Sequence, residues 1–432
     1  LLSIEAGIAE PQAHAVMRRP QCPACGNPAL AAQPQGRPFM PARRPMAAHA
    51  GWRSMPPADT VARLQPLVSP LCGVVSHLAP LTPQPGSDDG PWVFRSGFFK
   101  TPPADGAPLA AALHQVCLGK GLSAAASRAS ALCEAVERHA AFYQGDEACI
   151  EGPPEALDAP CILPAALTPH RPSVQTADMP RRWVPAWSLT RQARCYLPLG
   201  LCYAHAPAED ARHIGWTSNG CAAGNTLEEA VLQGLLELVE RDAVARWWYA
   251  RVERPAVPSG GHGTLPWPQV DQALGPGWER WLLDLTHDLG IPVAAAVAHH
   301  HASGGWAAGF GCGLSMAQAC ERALTELVQL VAAGKRMPTP PDEADAQRFL
   351  LPAAGIAAAP HAAIGQADIA GAIDHCVRAA SAHGLETIVL DYSRPDLPLH
   401  TAKVVVPGLS HIWPGHTTDR IGRLQNPQAL YV

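Results

Sequence analysis

Nowhere in this 432-residue chain does an apolar run reach the length of a membrane-spanning helix. Charge is scarce as well. Charged residues make up 16%, below the roughly 25% usual for globular domains, and the net charge is −5. No basic tract is interleaved with aromatics, so nothing favours nucleic acid as a partner. The opening "LLSIEAGIAEP" has no basic n-region, which excludes a secretory signal peptide. It also has no initiator Met, and is expected to be a chain entered partway, either a processed product or the back part of a longer reading frame. A Gly-x-Ser-x-Gly elbow is absent, which removes the α/β-hydrolase reading.

Cysteine is present but unpatterned. Thirteen residues, an odd number, are scattered irregularly, several of them (Cys117, Cys133, Cys320, Cys376) in segments expected to be helical. This fits reduced thiols in the cytoplasm better than a disulfide framework. The one patterned pair is Cys22 and Cys25, a CxxC knuckle that makes half of a structural zinc site. No second CxxC follows. Either the other pair lies upstream, or this is a turn without metal.

Prolines crowd the first hundred residues, and residues 20–60 read as a linker with some local order. A folded region is expected over 61–432. Strands are expected at 72–81, 91–99, 183–189, 193–205, 291–300 and 306–314, with two more in "LETIVLDY" and "TAKVVVPGL". Helices are expected over 122–143, with Ser123 as cap, and from Thr226, whose Glu229 three residues on completes a capping box. Others are expected over 277–290, 316–334 and 368–384. The fold class is therefore α+β or mixed α/β, with helices packed on antiparallel or mixed sheets.

Several apparent motifs fail on inspection. "CLGKGLS" around Lys120 is not a P-loop, because Gly121 and Leu122 follow the lysine where Ser or Thr is needed. "GFGCG" at 309–313 lies in a hairpin strand rather than a βαβ unit. His299, His300 and His301 cannot all share a face of a strand. Trp247 and Trp248 read most simply as packing residues.

One pattern occurs twice. In "SALCEAVERH", Glu134 and Glu137 sit three apart on a helix otherwise built from Ala, Leu, Cys and Val, with Arg138 next. Taken singly, such charges are usually a solvated face of small energetic value. However, "GLLELVERDA" repeats the spacing with Glu237, Glu240 and Arg241. Four carboxylates on apolar helices would repel one another out of water unless cations offset them. Hard oxygen donors favour magnesium held together with phosphates. The turn at 219–225 precedes the second helix, where exposed amides favour an anion. Together these features describe a magnesium–nucleotide site.

These segments resemble the YcaO family. Ser130, Glu134, Glu137 and Arg138 match Ser-x-x-x-Glu-x-x-Glu-Arg. Residues 219–225 match Asn-Gly-x-Ala-x-Gly-Asn, and 237–242 match Glu-x-x-Glu-Arg-Asp. "RALTELVQ", "GKG" and "VVVPGLSHIW" also fit, and the resemblance spans roughly 65–424. "FYQGDE" and "LVERDAVARWWYAR" look most like the azoline-forming branch, the D component of thiazole/oxazole-modified microcin synthesis. The resemblance implies a YcaO-type ATP-binding fold and ATP-dependent cyclodehydration of Cys, Ser or Thr in a ribosomal precursor peptide. It implies that Glu134, Glu137, Glu237 and Glu240 hold Mg2+. Ser130, Asn225 and Arg241 would contact phosphates, Glu229 would assist nucleotide binding, and Arg322 and Gln329 would join the ATP site.

Further expectations concern the surroundings. "RRPQCPACGNP" resembles the edge of the ubiquitin-activating-enzyme-like, leader-binding domain found ahead of this module. A flavin dehydrogenase downstream and a homodimer are also expected. Azoline-forming members commonly end in a Pro-x-Pro-x-Pro tail, whereas this sequence ends "GRLQNPQALYV", so a shortened C-terminus or a substitute group is expected. Thioamide- or amidine-forming relatives share the motifs and stay open as alternatives, as does a noncatalytic nucleotide-binding scaffold.

Overall fold

The computed structural model describes residues 1–3, 11–27, 36–43, 53–81, 89–99, 114–167, 180–258, 265–338, 347–358, 361, 363–365, 368–413, 418–422 and 430. Helix α1 (Pro57–Leu64) leads into a three-stranded antiparallel sheet of β1 (Val75–Pro80), β2 (Asp89–Phe99) and β3 (His114–Ser123). Helix α2 (Ala124–Ala140) follows with no loop. Ser123 ends the strand and caps the helix, its hydroxyl accepting from the Ala126 amide. The helix then folds back across the strand. At Gly119 any Cβ would fall 2.1 Å from the Ala131 nitrogen, so only glycine permits this approach.

A larger antiparallel sheet runs β4 (Ile150–Glu151), β5 (Arg182–Ser188), then the late strands β11 (Ile388–Asp391) and β12 (His400–Val405), and finally β7 (Cys221–Gly224). Strand β6 (Ala193–Pro198) pairs with β5 off this path. Helix α3 (Leu227–Ala250) rises from β7, with the Thr226 hydroxyl accepting from the Glu229 amide. Most of its residues are buried, Glu228, Glu229 and Asp242 among them, and it packs on β12, β7 and the second three-stranded sheet. That sheet comprises β8 (Trp278–Asp284), β9 (Val293–His300) and β10 (Gly305–Cys312), after the short helix α4 (Trp267–Leu274). Helices α5 (Met316–Ala332) and α6 (Ile369–Ala382) follow it. The largest apolar cluster gathers Leu235, Val239, Trp247 and Trp248 of α3 with Phe310, Phe349 and Ile373. Each such side chain contributes roughly 1.5–3 kcal/mol on leaving water.

All strand pairings named here are antiparallel. Three local expectations need correction. Residues 277–290 are not a helix: Trp278–Asp284 alternates about β9, and its Trp281 side chain reaches the Leu350 carbonyl at 2.7 Å. Here aromatic, two-sided burial overrides a composition that suits a helix. The strand expected over 193–205 stops at Pro198, where Leu199–Cys202 form one helical turn. Cys117 sits in β3, not a helix. All thirteen cysteines are free.

The boundary drawn at residue 60 falls inside α1, and the proline-rich stretch is pinned to α3. The Ala42 amide donates to Glu228 at 3.0 Å, the Ser54 amide to Glu229 at 2.5 Å, and buried Thr60 pairs with Asn225. Among the described residues, no helix is long and apolar enough to cross a membrane.

Candidate metal–nucleotide site

Both Glu-x-x-Glu-Arg segments are built the same way. On α2 the buried Leu132, Ala135 and Val136 fix the helix face, and Glu134 and Glu137 emerge beside it. Arg138 lies 3.6 Å from Glu134 and 3.2 Å from Glu137, while Glu134 accepts from the Leu118 amide at 3.3 Å. On α3, Arg241 lies 3.5 Å from Glu237 and 4.0 Å from Glu240, and Glu237 accepts from the Gly220 amide at 2.9 Å. In each copy one guanidinium serves two carboxylates.

One arginine does not neutralise two acids. Burial pushes the Glu137 carboxyl up to about 8; Arg138 opposes this, while Glu237 and Glu134 add to it as like charges. Burial likewise lifts Glu240 to about 7, with Glu326 adding and Arg241 opposing. Glu134 is also raised by burial, against Arg138. Glu137 thus feels Glu237 of α3 as a like charge, and Glu240 feels Glu326 of α5. An all-oxygen set short of positive charge suits a hard divalent cation.

The convergence is partial. Among the described residues no three His, Cys, Asp or Glu side chains stand close enough to form a metal site by themselves. Magnesium is commonly held by one or two carboxylates plus phosphate oxygens and water, so these residues fit it as part of a nucleotide complex. Cys22 and Cys25 share a tight turn, closed by the Gly26 amide donating to the Cys22 carbonyl at 2.7 Å. No third ligand joins them among the described residues, so the zinc expectation is not supported.

Between α2, α3 and α5 lies a cavity of about 680 Å³. Ser130, Glu229 and Arg322 line it, whereas the four paired glutamates, Arg241, Asn225 and Gln329 do not. Arg322 donates to Gln233 at 2.6 Å and to the Cys312 carbonyl at 3.1 Å. Asn225 is buried, its amide donating to Glu229 at 2.9 Å and its side chain to Thr60 at 3.0 Å. Gln329 instead ties α5 to β3, donating to the Leu118 carbonyl at 2.6 Å.

The sequence pattern left other groups unassigned. Lys120 and Arg53 line the same cavity, giving it three cationic side chains with Arg322. Lys120 pairs with Glu326 at 2.8 Å, and Glu326 also accepts from the Phe310 amide at 3.3 Å. Against the upward push of burial, Lys120 and Arg241 hold the Glu326 carboxyl below its usual range. Its signal was the four-residue spacing from Arg322 in "RALTELVQ". Lys120 fails as a P-loop lysine and lies in the "GKG" segment that fits the family, which gives it no role by itself, and Arg53 lies outside every recognised motif.

Residues 118–410 match the family model described as YcaO cyclodehydratase, ATP- and Mg2+-binding. The chain belongs to the YcaO family. A heterocyclase solved with substrate and cofactor is 33% identical, superposes with a TM-score of 0.82, and covers 97% of this chain. The heterocyclase TruD is 30% identical over 98% of the chain, with a TM-score of 0.70. This chain spans 60% and 58% of those two chains. A YcaO protein from Methanopyrus kandleri, solved with AMPPCP and Mg2+, shares the fold at 21% identity and a TM-score of 0.63, covering 88% of this chain and 97% of its own.

Proposed function

We propose that this YcaO chain is the ATP-consuming module of a peptide cyclodehydratase. The observation that carries this reading is the cavity where Ser130, Glu229, Lys120 and Arg322 meet, beside carboxylates left short of positive charge by burial. The similar heterocyclases lend support, one of them solved with its substrate and cofactor. So does the related fold that holds AMPPCP and Mg2+.

In this reading Glu134, Glu137, Glu237 and Glu240 are the metal's carboxylates, and the metal supplies charge neutralisation at the transferring phosphoryl group. Lys120, Ser130, Arg241 and Arg322 orient phosphate oxygens; Asn225 and Glu229 shape the nucleotide end, with Gln329 bracing α5. The side chain of a precursor Cys, Ser or Thr attacks the preceding backbone carbonyl, and the resulting hemiorthoamide oxygen takes the γ-phosphoryl group. Phosphate then leaves, carrying that oxygen away and giving the thiazoline or oxazoline, ADP and phosphate. The chain's contribution is positioning and electrostatic stabilisation, which dominate phosphoryl transfer. The residues ahead of α1 read as the edge of a leader-binding domain, and the chain from α1 onward as the catalytic domain.

The test is mass spectrometry of the genome-neighbouring precursor peptide after incubation with this chain, a leader-binding partner protein, ATP and Mg2+. Loss of one water per modified residue, matched by ADP formation, is expected. Exchange of oxygen for sulfur, or ADP formation with an unchanged peptide, would reject cyclodehydration.

A further inference from the structure

A buried lysine lies behind the carboxylate cluster. Lys403 sits on β12 opposite Cys221 of β7, with only 2% of its surface exposed. An ammonium out of water is costly unless well compensated. Its ammonium donates to the Thr217 carbonyl at 2.7 Å and the Asn219 carbonyl at 3.3 Å, and lies 3.7 Å from the Cys221 sulfur. The Trp216 ring lies 5.6 Å away on another side. Among the described residues no carboxylate is within ion-pair distance, though its charge acts on the Glu137 carboxyl of α2. Methionine, of similar shape, would fill this place without the desolvation cost.

What the lysine holds is the turn that reaches Glu237. Both acceptor carbonyls, of Thr217 and Asn219, lie just ahead of Gly220, whose amide donates to Glu237 at 2.9 Å. Gly220 has φ +76°, its carbonyl accepts from the Val404 amide at 2.8 Å, and a Cβ there would fall 2.2 Å from the Val404 oxygen. The turn is wedged between β12 and α3, held by Lys403 at two carbonyls and by the Asn219 side chain pairing with His411 at 2.8 Å. We propose that Lys403 is a positioning residue of the metal–nucleotide site, fixing the 217–221 turn so that the Gly220 amide orients Glu237 toward the cation. The proposal rests on the nucleotide reading above, and spends fold stability on site geometry.

The test uses the full chain with Mn2+ and a non-hydrolysable ATP analogue, free Mn2+ being followed by electron paramagnetic resonance. Wild-type protein that binds no Mn2+–nucleotide would reject the nucleotide reading itself. Given wild-type binding, Lys403→Met is expected to weaken Mn2+ affinity about tenfold or more. Its unliganded melting temperature should stay at or above the wild-type value. Lys403→Arg, which keeps donors and charge, should restore part of the affinity. Wild-type Mn2+ affinity in a folded Lys403→Met protein would overturn the proposal. So would failure of both Lys403→Met and Lys403→Gln to fold, which would make the lysine a determinant of the core.

Discussion

The Lys120 ammonium lies 2.8 Å from a carboxylate oxygen of Glu326, two residues 206 positions apart in the chain. This pair joins β3 to α5 at the wall of the cavity. Truncating the lysine strands a buried acid and removes a cation facing the proposed phosphates. Lys120→Met is expected to weaken binding of a magnesium–nucleotide analogue at least tenfold, measured by calorimetry. Unchanged affinity would remove Lys120 from the site.

Glu137 and Glu240 carry the proposed metal chemistry at the expense of stability. Glu137→Gln and Glu240→Gln should each lower ATP turnover by about a hundredfold or more. Their circular dichroism should match wild type, and their melting temperatures should equal or exceed it, because a like-charge repulsion is gone. Normal turnover in both variants would remove these carboxylates from the mechanism.

The raised Glu137 carboxyl has a consequence for pH dependence. Folded it titrates at about 8, while unfolded it titrates near the usual carboxylate value of about 4.3. Between those values the folded protein holds a proton that the unfolded chain releases, so this group's contribution falls as pH rises and is lost above about 8. Buried His139, pushed down to about 3, acts below about 6.5 and is common to both proteins compared. Urea unfolding without metal at pH 6.5 and 8.5 should show wild type losing stability relative to Glu137→Gln, by at most about 2 kcal/mol. A pH-independent difference would contradict the buried, metal-seeking state of Glu137.

Asp242, the last residue of the second motif, performs a structural task. It is fully buried, accepts from the Ser410 amide at 2.8 Å, and pairs with Arg420 at 2.9 Å, fastening the 418–422 segment to α3. Arg420 also reaches Asp288 at 2.9 Å. Asp242→Ala should cost about 3–5 kcal/mol in denaturant unfolding, since it leaves the Ser410 amide unsatisfied and strips Arg420 of its buried carboxylate, with only the more exposed Asp288 remaining. Replacing Asp242 and Arg420 together with apolar residues should recover part of that loss. A cost below about 1 kcal/mol for the single change would contradict the assignment.

Much of this was legible because local chemistry is loud at helix starts and in repeated charge patterns. Ser123 and Thr226 cap where capping rules place them. The duplicated Glu-x-x-Glu-Arg spacing predicted both arginine–glutamate clusters. What stayed hidden depends on distant chain. Trp278–Asp284 became a strand because β9 was there to pair with it. Lys120, Glu326 and Lys403 acquire roles from partners more than 180 residues away. The proline-rich stretch gave no periodic signal, yet its backbone amides answer Glu228 and Glu229. Backbone donors carry no residue identity, so such contacts leave no trace in a sequence.

The most direct measurement of the central claim is anomalous diffraction from crystals grown with Mn2+ and a non-hydrolysable ATP analogue. Manganese is expected at the carboxylates of Glu134, Glu137, Glu237 and Glu240, with the nucleotide in the cavity lined by Lys120 and Arg322. Nucleotide bound in the cavity with no manganese at these carboxylates, or manganese held elsewhere, would contradict it.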